Sequence, residues 1–303
     1  MNKKIKLMDY GSNKKITLIK FLGEGTYSKV YKIQNTKTHP NHCIKIYNQY
    51  YDTCNEEADL LKQINNNNII KIHSIIHFNN TVKKDSIILE YCKFNLLEFT
   101  NEFDIGDELI FYILKDITNA LGYLKLLKIL HLDVKQENIL ERCNTEFVLS
   151  DFSNSCYYLN KNKNYDIVTV YYRAPEICLE DYNYNYQVDV WSLGCVLYEL
   201  LTKKILFEER FDILKRQIEI LGLKKLSETF IKNMKISHNI KEKYYYNKIV
   251  PEPEITNDLD ILNKSIFKDL CLKILVIDYN ERITIEEIKN IIKEIQLEYG
   301  YNL

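Results

Sequence analysis

Proline, glycine and tryptophan are scarce in this 303-residue chain, which has four, eight and one of them. No Pro- or Ser-rich stretch interrupts it, so no extended linker separates independent modules. Its eight cysteines, at positions 43, 54, 92, 143, 156, 178, 195 and 271, form no C-x-x-C pair. That spacing argues against a zinc site or a disulfide framework and suits free thiols in a reducing compartment. An excess of one charge is missing as well. With 41 basic and 42 acidic residues the net charge is -1, too little to hold a nucleic-acid backbone or an anionic membrane. No apolar run approaches the ~20 residues that cross a bilayer. The basic start, MNKKIKLMDYGSNKK, never reaches an apolar stretch, so no signal peptide is expected. These absences point to an intracellular protein of cytoplasm or nucleus, with neither nucleic acid nor membrane as partner.

What is present divides in two. From Lys15 to Tyr47 the stretches ITLIKFL, KVYKIQ and HCIKIY read as strands, rich in β-branched and aromatic residues and bounded by Gly, Asn and Pro. A helix over about Thr53–Ile64 carries Ala58, Leu60, Leu61 and Ile64 on one face. The stretches IIKIHSIIHF and KDSIILEYC complete a small antiparallel sheet. After Lys93-Phe94-Asn95 helical spacing takes over, over Asp107 to Leu127, Val188 to Leu201, 209–235 and 265–297. The fold class is α+β in a single domain, with a β-rich lobe of about 16–92 and a larger, mainly helical lobe of about 93–297.

Chemistry-bearing residues recur at tight intervals. Gly23 and Gly25 lie between two strands, where bare backbone can approach phosphate oxygens, although a lone Gly-x-Gly between strands is most often a hairpin turn. Lys45 lies on the third strand, and its ordinary role would be a solvated surface charge. A functional lysine needs a carboxylate on the following helix; Glu57 has better register than Glu56 against Leu60 and Leu61. The stretch HLDVKQENIL places Asp133, Lys135 and Asn138 within six residues, and Asp151 follows the apolar EFVLS. Singly, each is an ordinary polar residue. Their order and element types make chance convergence improbable.

Together these motifs resemble a eukaryotic protein kinase over about Ile16–Ile295. The later stretches YYRAPE, DVWSLGCVLYELL and Arg282 in DYNERIT fit the same pattern. The Tyr-Arg-Ala-Pro-Glu form is similar to the CMGC group. Within it, DFSNSC resembles the dual-specificity tyrosine-regulated and cell-division-cycle-like branches, whereas IVTVYYRAPE resembles cyclin-dependent kinases. The resemblance implies a bilobal kinase fold and ATP- and Mg2+-dependent phosphoryl transfer to Ser/Thr hydroxyls of protein substrates, often beside proline. Tyrosine autophosphorylation stays open, and no activating partner is indicated. It further implies that Asp133 orients the hydroxyl and Lys135 neutralises developing charge. Asn138 and Asp151 would hold magnesium through hard oxygens. ATP would lie against Leu22, Gly23, Gly25, Val30, Cys43, Leu89 and Leu140, with backbone groups of Glu90 and Cys92 on the adenine edge. Lys45, paired with Glu57, would reach the phosphates, and Arg282 would pair with Glu176.

Four positions depart from the family pattern: Ser28 for the third glycine, Leu132 for an arginine, Gln136 for a proline and Ser153 for the glycine of D-F-G. Leu132 cannot receive a phosphate, Val170 replaces a second basic receptor, and Asp166 stands where related kinases carry an activating tyrosine. The chain is therefore expected to be active without activation-loop phosphorylation. The alternatives are a pseudokinase that binds nucleotide as a scaffold, and a small-molecule phosphotransferase, which would lack YYRAPE, DVWSLG and Arg282.

Overall fold

The computed structural model describes residues 5–9, 14–25, 28–34, 41–47, 53–77, 85–143, 145–160, 168–181, 183–208, 213–222 and 264–301. Six antiparallel strands build the first sheet: β1 (Ile5–Asp9), β2 (Lys14–Glu24), β3 (Ser28–Ile33), β4 (His42–Tyr47), β5 (Ile72–His77) and β6 (Asp85–Glu90). Their order is β1-β2-β3-β4-β6-β5. Alternation sends Ile16, Leu18, Ile33, Ile44, Ile76 and Ile88 into a small core of their own. The opposite residues, Cys43, Tyr47, Ile87 and Leu89, join the main core with Ala58 and Leu61 of α1 (Thr53–Gln63). Cross-strand register sets Val30 beside Lys45 and Cys43 beside Leu89. That row of side chains forms one wall of the cleft.

Among the described residues two short sheets and seven α-helices follow. The two-residue β7 (Phe94–Asn95) pairs with β9 (Ile139–Cys143), which pairs with β10 (Glu146–Leu149), and β8 (Ile129–Leu130) pairs with β11 (Cys156–Tyr157). An Asn95–Glu98 capping box starts α2 (Leu96–Glu102). Behind the cleft lie α3 (Asp107–Leu126) and α5 (Gln187–Thr202). The second of these is apolar on nearly every face and correspondingly buried. At Gly194 a Cβ would sit 2.4 Å from the Ile274 side chain, so glycine lets α5 and α7 (Lys268–Ile274) pack closely. The remaining helices are α4 (Pro175–Cys178), α6 (Ile213–Leu221) and α8 (Ile285–Tyr299).

Three expectations change. The stretch 265–297 is two helices: the chain breaks at Leu275, turns through Asp278–Asn280, and restarts at a Thr284–Glu287 capping box. That turn carries Arg282. Within 209–235, the described helix is Ile213–Leu221, Gly222 follows it with a φ of 70°, and the rest of that stretch lies outside the described residues. β1 was not expected at all. Among the described residues no helix is long and apolar enough to cross a membrane, and none of the eight cysteines is in a disulfide.

Candidate active site

Strand β4 carries Lys45, a residue only 4% exposed. It donates to Glu57 Oε1 and Oε2 at 2.9 and 2.7 Å and to Asp151 Oδ1 at 2.7 Å. Glu57, one helical turn into α1, is buried, whereas Glu56 is exposed. Glu57 also accepts from the Tyr47 hydroxyl at 2.5 Å and from the Phe152 N–H at 3.1 Å. Burial by itself would lower the lysine pKa, but Asp151 and Glu57 outweigh it and raise the group above its ordinary value. For Asp151 the balance runs the other way. Burial pushes its pKa up, yet Lys45 and hydrogen bonds from Ser153 hold it well below the usual carboxylate range.

The loop before β9 brings a second set together. Asp133 is 6% exposed; its Oδ2 is 2.8 Å from Lys135 Nζ and accepts from Asn138 Nδ2 at 2.9 Å. Thr169 Oγ1 donates to Asp133 Oδ1 at 2.7 Å, and Lys135 donates to Thr169 at 3.0 Å. Asn138 spends its amide nitrogen on Asp133 twice. Its amide oxygen takes no hydrogen bond among the described residues. Asp189 of α5 clamps the loop from below, accepting the N–H groups of His131 and Leu132 at 2.8 Å each. That clamp offsets strain, because Leu132 has a φ of 65°, a left-handed value that bulky residues rarely adopt.

Comparison with known proteins settles what this assembly belongs to. The family described as "Protein kinase domain" matches residues 16–291. The chain belongs to the protein kinase family. Mitogen-activated protein kinase 5 of Arabidopsis thaliana is 27% identical to it over 296 residues, covering 91% of this chain and 76% of that relative. This kinase chain thus has the α+β layout its motifs resemble, and the similarity supports the CMGC group and protein phosphorylation as its activity.

Several residues expected to bind nucleotide pack against or within the main core. Leu22, Val30 and Leu140 are half-buried against the main core, and Cys43 and Leu89 lie within it. The Cys43 thiol donates to the Glu90 carbonyl at 3.4 Å, and its pKa is pushed up by burial to about 12. Cys92, half-buried, is pushed up to about 12 by burial too. Neither thiol is a reactive thiolate at neutral pH. Gly25 donates its N–H to Ser28 at 2.9 Å, tightening the loop's return. Among the described residues, chain neighbours aside, no atom stands within 4 Å of where a Cβ would be at Gly23 and Gly25. In the larger lobe Arg282 donates to both Glu176 oxygens at 2.8 and 3.0 Å, with neither side chain exposed.

Three arrangements escaped the sequence reading. Arg142 of β9 grips Glu90 through two nitrogens, at 3.0 and 2.7 Å, and the Asn67 carbonyl at 2.6 Å, tying the hinge to the α1–β5 connection. Gln136 donates to Glu199 at 2.7 Å, which also accepts the Tyr172 hydroxyl at 3.0 Å. Ser153 donates its hydroxyl to Asp151 at 2.7 Å. Only a signal across many related chains could have paired the first two. The third pair is only two residues apart, close enough for a serine in place of the glycine to bond the preceding aspartate.

Proposed function

We propose that this kinase is an active Ser/Thr enzyme using ATP and Mg2+, with turnover independent of activation-loop phosphorylation. The observation that carries the reading is a pair of polar sets, Glu57–Lys45–Asp151 and Asn138–Asp133–Lys135–Thr169, each joined by its own hydrogen bonds and ion pairs. Magnesium fits its donor set: Asp151 Oδ2 and the Asn138 amide oxygen are hard donors without hydrogen bonds among the described residues. When bound, that ion would neutralise phosphate charge and draw electron density from the phosphoryl group. The chain's own residues supply the rest. Lys45 holds the nonreacting phosphates, Asp133 orients the incoming hydroxyl and receives its proton, and Lys135 offsets charge on the transferred group. Leu22, Val30, Cys43, Leu89 and Leu140 enclose the base, with Glu90 and Cys92 offering backbone groups to its edge.

Preference for proline after the phosphorylated residue has its own support. Arg173 donates through Nε and Nη2 to the Val168 carbonyl, at 3.3 and 3.0 Å. A substrate residue lying there finds that acceptor taken, and proline alone among residues brings no N–H that needs one. Phosphorylation independence is supported by Leu132, buried at 1% exposure, and by the uncharged Val170. Asp166, read as a built-in negative charge, lies outside the described residues.

The test is transfer of radiolabelled phosphate from Mg-ATP to a generic basic protein, with Asp133→Ala and Lys45→Met alongside. Incorporation lost in both variants supports the enzyme. Nucleotide binding without incorporation would overturn it in favour of a scaffold that keeps the fold, the reading motivated by Ser28, Leu132, Gln136 and Ser153.

A further inference from the structure

Ser153 stands where the family pattern has glycine, so it brings a hydroxyl to a position that normally has no side chain. That hydroxyl donates to Asp151 Oδ1 at 2.7 Å, and the Ser153 N–H lies 3.4 Å from the same atom. Lys45 donates to it as well, at 2.7 Å. Among the described residues every hydrogen bond to this carboxylate falls on Oδ1 and none on Oδ2. The Asp151 side chain is 33% exposed, so packing alone does not fix its rotamer.

We propose that the Ser153 hydroxyl is a positioning group that anchors Asp151 Oδ1 and keeps Oδ2 presented to the magnesium ion accompanying the nucleotide. The inference rests on Asp151 being a metal ligand, as proposed above. Lys45 is a poor sole anchor. Its three N–H donors are already divided between Glu57 and Asp151, and phosphate oxygens entering the cleft compete for them. The serine hydroxyl is bonded two residues from its acceptor and holds on when the lysine turns to phosphate. Ser153 thus supplies locally a restraint that a glycine at this position could not. Two of its effects separate by substitution: Ser153→Ala keeps the Cβ and removes the hydroxyl, while Ser153→Thr keeps both.

The experiment titrates Mg2+ against binding of a fluorescent ADP analogue to the full chain, in wild type, Ser153→Ala, Ser153→Thr and Asp151→Asn. Nucleotide affinity without metal and thermal denaturation without ligand are measured on the same samples. Ser153→Ala is expected to raise the half-saturating Mg2+ concentration by about tenfold, the size of one charge-assisted hydrogen bond. Metal-free affinity and melting temperature should stay near wild type, Ser153→Thr should restore the metal response, and Asp151→Asn should abolish it. An unchanged metal response in Ser153→Ala, with Asp151→Asn impaired, overturns the positioning role and leaves the metal-ligand reading standing. So does a loss of melting temperature and metal-free affinity as large as the metal effect. A wild-type metal response in Asp151→Asn removes the metal-ligand reading, and the inference falls with it.

Discussion

Lys45 Nζ is 2.7 Å from Glu57 Oε2 on one side and 2.7 Å from Asp151 Oδ1 on the other. One ammonium therefore joins strand β4, helix α1 and the segment after β10, elements contributed by both lobes. Lys45→Met removes the phosphate contact and also leaves a fully buried Glu57 carboxylate without its cation. Loss of such an electrostatic contact is expected to cost about 100-fold or more in kcat/KM. The unpaired buried charge is expected to cost about 3–5 kcal/mol of stability. Steady-state phosphate transfer and thermal denaturation measure the two separately. Turnover close to wild type would sink the assigned role of Lys45.

Arg173 makes a prediction about substrates. Arg173→Ala frees the Val168 carbonyl to accept a substrate N–H. The ratio of kcat/KM for a Ser-Pro peptide over its Ser-Ala counterpart should fall by about tenfold, the value of one hydrogen bond left unmade or made. A ratio that stays as in wild type would mean that proline preference, if present, is read elsewhere.

Glu199 predicts a pH dependence. Burial raises its pKa from 4.5 to about 7, while donors from Gln136 and Tyr172 pull the other way and Glu137 adds to the rise. The fold thus favours the protonated acid. This contribution to stability is fully present below the unfolded value and is lost as pH climbs through about 7. Melting temperature should decline between about pH 5 and about pH 8, and Glu199→Gln should flatten that decline. A variant with the same slope as wild type would show that other groups set it.

Local rules made half of this site legible. Strand alternation aims Lys45, helical register picks out Glu57, and Asp133, Asn138 and Asp151 sit at fixed intervals on short segments. The Gln136–Glu199 contact spans 63 residues and Arg142–Glu90 spans 52, so no local pattern announces either. β1 was hidden for another reason. IKLMD is short and mixed in polarity, and it is a strand through its register against Lys14–Leu18. The break within 265–297 hid behind apolar residues at helical spacing on both sides of it, and the Thr284–Glu287 box was the overlooked start signal of a second helix.

Arg282 and Glu176 form a fully buried ion pair. Both side chains are fully buried, the contact is bidentate, and the guanidinium lies 4.9 Å from the Trp191 ring centre. Arg282→Ala strands the carboxylate and is expected to cost about 3–5 kcal/mol. Arg282→Lys should recover only part, since an ammonium cannot reproduce the two-pronged contact or the stacking. Chemical denaturation reads both variants, and full recovery by lysine would argue that charge alone matters.

Leu132 gives the sharpest contrast with a phosphate-switched kinase. Its side chain is buried, its backbone is held at φ 65°, and both oxygens of the nearby Asp189 are committed to backbone N–H groups. Phosphatase treatment should therefore leave turnover unchanged, since this position offers no cation to lose a phosphate partner. Leu132→Arg is expected to destabilise the protein by at least about 2 kcal/mol, because a guanidinium would take the place of a side chain buried in the apolar core. It should not create a dependence on phosphorylation, because Val170 leaves the second basic position empty of charge. The comparison is turnover before and after phosphatase in both proteins, beside their melting temperatures. A phosphatase-sensitive wild type, or a Leu132→Arg protein that is more active and no less stable, would reverse the reading of this residue.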